Sequence, residues 1–368
     1  MTWRWRPITA ARDVERWVDD LRFGFKRRFG LLGRFQILPY RGHGTDRQLF
    51  LRGRVLEEEG VTRSARDDTL AENLLNMARR FNSGEVAGAR VRATFRALEV
   101  HATADEEGFF DVSFELDGSL GGPGLWHEVG LHLLHPPSPG GGPVRSTGRV
   151  LVPSGAEFGV ISDLDDTVVQ SSATNVLKMA WIVARNNAHT RLPFEGVSAF
   201  YEALRGGPGG EGSNPIFYVS SSPWNIYDLL EDFLDVHGVP AGPLFLKDWS
   251  PTTLGKHHDH KLSIIRTLLA TYPDLPFVLI GDSGEKDPEI YHQAVIEHPG
   301  RIKAVYIRDV TSPERDLEVH AIAEKLSAHG VAMALTGDTV KAAEHAAELG
   351  LIPPGAIDRV RARRDAPG

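Results

Sequence analysis

The 368-residue chain contains no cysteine. Disulfides, thiolate nucleophiles and cysteine-based zinc sites are therefore excluded. No run of about 18 apolar residues occurs, so no membrane-spanning helix is expected. The N-terminus also lacks the apolar core of a secretory signal. These absences predict a cytoplasmic protein, open at most to peripheral contact with a membrane. Excess positive charge is missing as well: 41 Lys and Arg face 49 Asp and Glu, for a net charge of -8. An acidic body argues against a general nucleic-acid binder.

What is present is ordinary globular material, 41% hydrophobic and 24% charged, with length for about two domains. The charge is uneven. Residues 1–30 carry eight Lys and Arg against four Asp and Glu. The same segment holds Trp3, Trp5, Trp17, Phe23, Phe25 and Phe29, a mixture suited to an anionic lipid headgroup surface. Val14, Trp17, Val18 and Leu21 share one face of a helix expected over about residues 11–29. Packing on its own domain explains that face more simply than a membrane anchor.

Period-two alternation follows. Leu49, Leu51 and Val55 lie on one side of Arg47–Glu57, and the pattern recurs over Val91–Phe95, Phe110–Phe114 and Val129–Leu133. It predicts half-buried antiparallel strands and a small β-sandwich-like domain over residues 31–152. One helix is expected to interrupt it, capped by Thr69-Leu70-Ala71-Glu72. Pro136–Pro143 reads as a turn.

From Glu157 short apolar runs alternate with helical segments: FGVIS, IFYVS, PLFL, FVLIG, KAVYI and VAMAL. This order predicts an α/β domain over residues 153–352, a doubly wound parallel sheet with crossover helices. Residues 353–368 read as a basic tail, frayed over Arg359–Gly368. The glycine-rich Gly206–Gly212 lacks the Lys-Ser/Thr of a nucleotide-binding loop and reads as a flexible insert.

Ligands in such sheets bind beyond the carboxyl ends of the strands. Asp163-Leu164-Asp165-Asp166-Thr167 follows the first run, Ser220–Ser222 the second, Asp282 to Asp287 the fourth, and Arg308-Asp309 the fifth; Lys261 opens the helical segment before the fourth run. Asp163 and Asp282 are expected to face each other, and converging carboxylates repel unless a cation neutralises them. A small hard cation, Mg2+, suits oxygen ligands and phosphate chemistry. One carboxylate can then attack phosphorus, and a second, two residues on, can move the proton. A serine hydroxyl and a lysine ammonium supply phosphate contacts.

DLDDT after a strand, a Ser ending a second strand, a Lys, and GD with a further Asp after another strand together resemble the four motifs of the haloacid dehalogenase (HAD) superfamily. The segments ISDLDDTVVQSSATN, FYVSSSPWNIYDLL, LGKHHDHKLSIIRTLL and LIGDSGEKDPEIY resemble, more narrowly, the actin-patch-associated phosphatidate phosphatase family, whose catalytic domain is related to lipins. The resemblance covers roughly residues 150–312, and the β-rich region also looks like the companion domain of bacterial members, though less specifically. It implies a HAD-like (Rossmannoid) sheet with a small cap. It further implies Asp163 as nucleophile, Asp165 as acid/base, Ser220 and Lys261 as the second- and third-motif residues, and Asp282 and Asp287 as metal ligands beside Asp163 and Asp165. The superfamily's metal contact at Asp165 is through its main-chain carbonyl. Asp166 and Glu285 compete with Asp287 for the second acidic position. Thr167, Ser221 and His260 are candidate substrate contacts.

Blander roles stand beside these. Asp163 and Asp165 can be plain turn or cap residues. One serine of Ser220–Ser222 is expected to cap a helix over Trp224–Phe233. His257, His258 and His260 invite a zinc site, but the absence of Cys and the adjoining Lys261 favour headgroup contact or surface structure. Arg308 and Asp309 are expected to pair with each other or with motif residues. TGDT at Thr336–Thr339 reads as a helix start. About 50 residues separate the first two motifs, including a helix expected over Asn175–Asn187. That is short for a lid and suits a bulky or membrane-held substrate. The favoured function is removal of phosphate from phosphatidic acid. The alternatives are a phosphatase for a soluble ester or phosphoprotein, and a membrane-binding scaffold with little turnover.

Overall fold

The computed structural model describes residues 33–57, 84–118, 120, 125–139, 141–165, 167, 194–247 and 257–365. The amphipathic N-terminal helix, the helix capped at Thr69, Asp166 and the Asn175–Asn187 helix fall outside these residues. The described chain is α/β, with two sheets and seven α-helices. No described helix is long and apolar enough to cross a membrane.

The first sheet joins eight strands: β1 (Phe35–Pro39), β2 (Gly42–Gly44), β3 (Gln48–Glu57), β4 (Arg90–Phe95), β5 (Leu98–Thr103), β6 (Phe109–Glu115), β7 (Trp126–His135) and β8 (Arg145–Leu151). Their order is β1-β3-β2-β8-β7-β4-β5, with β6 added to β3. Every pairing is antiparallel except that of β2 with β8. Alternation is strict where one face is wet: Val91, Ala93 and Phe95 of β4 are buried, and Arg90, Arg92 and Thr94 are not. The buried positions join those of β3, β6 and β7 in one core.

The second sheet is parallel throughout: β9 (Gly159–Asp163), β10 (Ile216–Pro223), β11 (Leu244–Lys247), β12 (Phe277–Asp282), β13 (Ile302–Arg308) and β14 (Ala332–Leu335). The order is β11-β10-β9-β12-β13-β14. The chain builds β10 and β11 on one side of β9, then crosses to build β12 on the other, which opens a switch point at the carboxyl end of β9. All six apolar runs of the sequence are these strands. They are apolar throughout because helices cover both faces. On one face α1 (Val197–Gly206), α2 (Tyr227–Val236), α6 (Thr339–Glu348) and α7 (Ala356–Arg364) pack on Val160, Tyr218, Val278 and Tyr306. On the other, α3 (His257–Thr271), α4 (Asp287–Glu297) and α5 (Pro313–Ala328) pack on Ile161, Phe217, Leu279 and Val305.

One local expectation is corrected and another is met. The C-terminal segment is not frayed: α7 docks on α1 and α6 with Ala356 and Val360 fully buried. Ala356 and Val360, one turn apart, anchor it with help from the partly buried Ile357, though five of its nine positions are charged. TGDT does start a helix, since Asp338 accepts from the Val340 amide at the head of α6.

The sheets meet through aromatic side chains. Tyr40 packs on Trp224 and Tyr227, with ring centroids 4.6 and 4.4 Å away. The buried Arg54 donates to Asn225 Oδ1 at 3.1 Å and to the Glu107 carbonyl at 2.7 Å, with its guanidinium 4.4 Å from the Phe109 ring centre. Arg41 pairs with Glu231 at 2.9 Å and Asp235 at 3.0 Å. Trp224 and Asn225 follow the serines of β10 after Pro223, so the first sheet braces one wall of the switch point.

Candidate active site

Asp163 ends β9 and is 1% exposed. Its neighbour in register on β10 is Val219, so Ser220 stands one step beyond it. On the other side Ile280 is level with Ser162, which brings Asp282 to the same edge. Gly281 makes room for a third carboxylate, because a Cβ there would clash with Asp287 Oδ2. Asp287 opens α4 and reaches back, its Oδ2 accepting from the Asp282 amide at 3.2 Å. Asp282 Oδ1 in turn accepts from the amides of Gly284 (2.7 Å) and Glu285 (2.9 Å), which folds the loop over it.

Oxygens of Asp163, Asp282 and Asp287 thus gather within 4.8 Å of one another, all three residues buried. Lys261, from the second turn of α3, inserts its ammonium among them. It donates to Asp163 Oδ1 at 2.9 Å and to Asp287 Oδ1, and lies 3.4 Å from Glu285 Oε2. One cation does not balance four carboxylates. Burial pushes Asp163 well above the usual carboxylate range against the opposing pull of Lys261, and Asp287, Glu285 and Asp282 push it further. Asp282 is pushed up to about 8, first by burial and then by Asp287 and Glu285. Burial alone would lower Lys261, but Asp163 and Asp287 outweigh it and hold the ammonium charged.

Two buried oxygens in this cluster, Asp163 Oδ2 and Asp282 Oδ2, have no hydrogen-bond partner. Buried acceptors left unpaired are unfavourable. Carboxylate oxygens are the ligands of hard cations. The donor set, its excess negative charge and its two unpaired oxygens fit a divalent cation.

Asp165 stands apart from the triad. Its Oδ2 accepts from Ser220 Oγ at 2.8 Å and Ser222 Oγ at 3.2 Å, and Ser220 Oγ accepts from the Ser222 amide at 2.9 Å. The serines thus hold the Asp165 carboxylate away from the triad, which leaves its main-chain carbonyl, the expected metal contact, as the part of Asp165 that could join it. The expected serine cap is corrected too. Ser220–Ser222 lie within β10, and the helical turn at Trp224–Ile226 has no side-chain cap. Of the competitors for the second acidic position, Asp287 stands in the triad and Glu285 contacts Lys261 from a partly exposed position.

Among the proposed substrate contacts, Thr167 is buried with its hydroxyl unpartnered, Ser221 is half-buried between the two serines that meet Asp165, and His260 is half-buried one residue before Lys261. Thr167 lines a small void of about 20 Å³ with Tyr201, Tyr306 and Arg308. Arg308 makes no salt bridge with Asp309. Its guanidinium donates to the carbonyls of Thr167 (3.3 Å) and Gly337 (3.2 Å) and to Thr339 Oγ1 (3.2 Å), tying the loop after β9 to the start of α6.

Sequence reasoning missed Arg315 on α5. Its Nε donates to the Ser283 carbonyl at 3.1 Å and its NH2 group to the Glu285 carbonyl at 3.2 Å. A bidentate pair with Glu289, at 2.7 and 2.9 Å, fixes the guanidinium plane. The loop carrying Asp282 and Asp287 is thus pinned from outside. Nothing in the local sequence marks this, because the partners are main-chain oxygens about thirty residues upstream.

Residues 158–309 match the family model described as phosphatidate phosphatase APP1, catalytic domain. Over 167 residues the chain is 30% identical to the phosphatidate phosphatase APP1 of Saccharomyces cerevisiae, covering 44% of this chain and 28% of that protein. Over 160 residues it is 28% identical to an uncharacterized protein of Schizosaccharomyces pombe, covering 42% of this chain and 25% of that one. The matched part thus spans about a quarter of the length of these curated relatives. A solved structure of a carbohydrate acetylesterase from Xanthomonas citri aligns over 80% of this chain and 66% of that one, at 13% identity and a TM-score of 0.26, too low to bear on fold or function. Over the parallel sheet as far as Asp309, and so over every carboxylate of the cluster, this chain is similar to the catalytic domain of phosphatidate phosphatase APP1.

Proposed function

We propose that the chain is a Mg2+-dependent phosphatidate phosphatase of HAD type, converting phosphatidic acid to diacylglycerol through a phospho-aspartate on Asp163. The observation that carries this reading is the buried cluster of Asp163, Asp282 and Asp287 around Lys261, beside a separate Asp165 held by serines. The match of residues 158–309 supports phosphatidate as the substrate class. The central parallel strand β9 with helices on both faces supports the HAD-like assignment, with the first sheet as a sandwich-like companion domain over residues 31–152 and the catalytic domain over residues 153–352.

Asp163, Asp282 and Asp287, with the main-chain carbonyl of Asp165, would hold the Mg2+. When bound, the ion neutralises the carboxylates and offsets negative charge on the transferring phosphoryl group. Lys261 orients Asp163 and adds a second positive charge beside the phosphoryl oxygens. Asp163 attacks phosphorus, the bond to the glycerol oxygen breaks, and Asp165 in its acid form protonates that oxygen. Asp165, now a carboxylate, takes a proton from the water that attacks the phosphoryl group. The bond to Asp163 breaks and inorganic phosphate leaves. Ser220 and Ser222 place Asp165 for both transfers, and Thr167 offers its unpartnered hydroxyl near the same edge.

Phosphate release from phosphatidate in mixed micelles, run with and without Mg2+ beside soluble phosphomonoesters, tests the assignment. Release from the lipid that EDTA stops and Mg2+ restores is expected. Release from soluble esters alone would move the substrate to that class and leave the chemistry in place. No release from any ester would overturn the enzyme reading in favour of a scaffold.

A further inference from the structure

The first sheet turns one broad face to solvent across β8, β7, β4 and β5, and that face is basic. Cross-strand register sets His101, Arg92, His132 and Arg145 in a single row. Arg90 stands two residues along β4 from Arg92, and Arg149 stands two strand rungs beyond Arg145 opposite Glu128. Glu99 pairs with His101 at 3.1 Å and reaches Arg92 at 3.8 Å. Arg90, Arg145 and Arg149 are exposed and have no acidic partner among the described residues. Leu134, 39% exposed, adds an apolar side chain beside His132.

Basic side chains directly opposite one another in a sheet repel. Arg92 donates to His132 Nδ1 at 3.0 Å, and partial burial, then Arg92, then Arg145 hold His132 below the ordinary histidine value. Adjacent strands lie about 4.8 Å apart and residues rise about 3.4 Å along each strand, so the four arginines spread over a face roughly 20 Å by 10 Å. The solvent side of β6 is different. Asp111, Ser113 and Glu115 point outward there, so the sheet segregates its charge. In a chain of net charge -8, a flat basic face is complementary to a plane of negative charge. Arginine forks match phosphate and carboxylate oxygens, and a β-sheet presents them at one height.

We propose that this face docks the protein on an anionic lipid bilayer. The role we give it, holding the catalytic sheet at the surface that carries its substrate, rests on the lipid-phosphatase reading; the docking itself does not.

Cosedimentation of the full chain with phosphatidylcholine vesicles, with and without phosphatidylserine, tests this. Phosphatidylserine is used so that the active site takes no part. Binding is expected with phosphatidylserine and not with phosphatidylcholine alone, and it should weaken as salt rises. Each arginine changed to glutamine should lower partitioning about fivefold, so Arg92→Gln with Arg145→Gln should lower it about 25-fold. The matching lysine double variant should bind close to wild type, and the melting temperatures of all variants should agree. Equal partitioning of wild type to both vesicles would overturn the proposal. So would a variant lacking all four arginines that still binds phosphatidylserine vesicles, which would assign the contact elsewhere. Indifference to vesicles, together with an oligomer or acidic-protein complex lost in the arginine variants, would overturn it in favour of a protein partner. Vesicle binding without phosphatidate hydrolysis would instead contradict the enzyme reading and leave the docking face standing.

Discussion

The two sheets place their chemistry in opposite ways. The parallel sheet is covered on both faces by helices, so its strands carry apolar side chains and its polar groups collect at the strand ends. The antiparallel sheet has a solvent face, so every second residue along a strand is free to be polar. Ends converge, and faces spread. Convergence produces a buried site where three carboxylates and a lysine perturb one another. Spreading produces a plane of charges that act additively on something large. The difference teaches that a buried, mutually coupled group in this molecule belongs to chemistry on a small reacting centre, and an exposed row belongs to a surface.

Breaking the converging end should have the largest effect. Asp163→Asn exchanges the attacking carboxylate for a neutral amide and should lower turnover on any phosphomonoester by at least about 10³-fold. Partitioning to anionic vesicles, which depends on the other sheet, should be unchanged. Loss of both in one variant would deny that the two regions act independently.

Arg315→Ala should come next, releasing the Ser283 and Glu285 carbonyls. Loss of such an outer contact typically lowers metal affinity about 10- to 100-fold. Titration with Mn2+ followed by electron paramagnetic resonance would show it without reference to turnover. Arg315→Lys should not rescue, since one ammonium cannot span both carbonyls and Glu289. Unchanged affinity would mean that the loop holds its shape unaided.

Arg54 joins the two regions. Arg54→Ala leaves Asn225 and the Glu107 carbonyl without their donor. It should lower stability to urea by about 2 kcal/mol, the range for losing hydrogen bonds to a charged group. A change under about 0.5 kcal/mol, the size of an ordinary surface substitution, would show that the sheets are only loosely joined.

A pH dependence sharpens the comparison further. The Asp282 carboxyl is held at about 8 in the fold, above its unfolded value. Between those values the metal-free folded state binds more protons than the unfolded state. Stability of the EDTA-treated protein should therefore fall as pH rises toward 8. Mg2+ should take the place of those protons and raise the melting temperature more at pH 8 than at pH 5. Asp282→Asn should flatten the metal-free profile. A metal-free protein whose stability rises over this interval would contradict the account of the cluster.

Much of this was legible in the sequence because each sheet writes its own pattern. The six parallel strands appear as apolar runs since both faces are buried, and β3, β4, β6 and β7 appear as alternation. The strands left unread lack either signal. β2 is Gly-His-Gly, β5 is an edge strand with no fully buried residue, and β8 is polar until its last two residues. β1 is five residues long and ends in proline. At the site, the positions of Asp163, Lys261, Asp282 and Asp287 followed from what succeeds each apolar run. Their partners did not. A cap is expected of one serine because hydroxyls near a helix usually cap it, whereas β10 continues through all three and turns Ser220 and Ser222 to Asp165. Arg308 was expected beside a carboxylate and Arg315 was not singled out, because both bind main-chain oxygens that leave no trace in residue identity. The basic face was also unread. Its arginines lie on two strands, β4 and β8, more than fifty residues apart in the chain, and only the register through β7 brings them together.

The most direct test of the central claim is a rapid-quench single turnover. Enzyme in excess over phosphatidate is mixed with Mg2+, stopped in acid and digested, and the peptide bearing Asp163 is weighed. The account predicts a transient peptide heavier by one phosphoryl group on Asp163, cleared by a later quench and absent in Asp163→Asn. Release of phosphate with no phosphorylated peptide at any time, or a phosphoryl group on another residue, would contradict it.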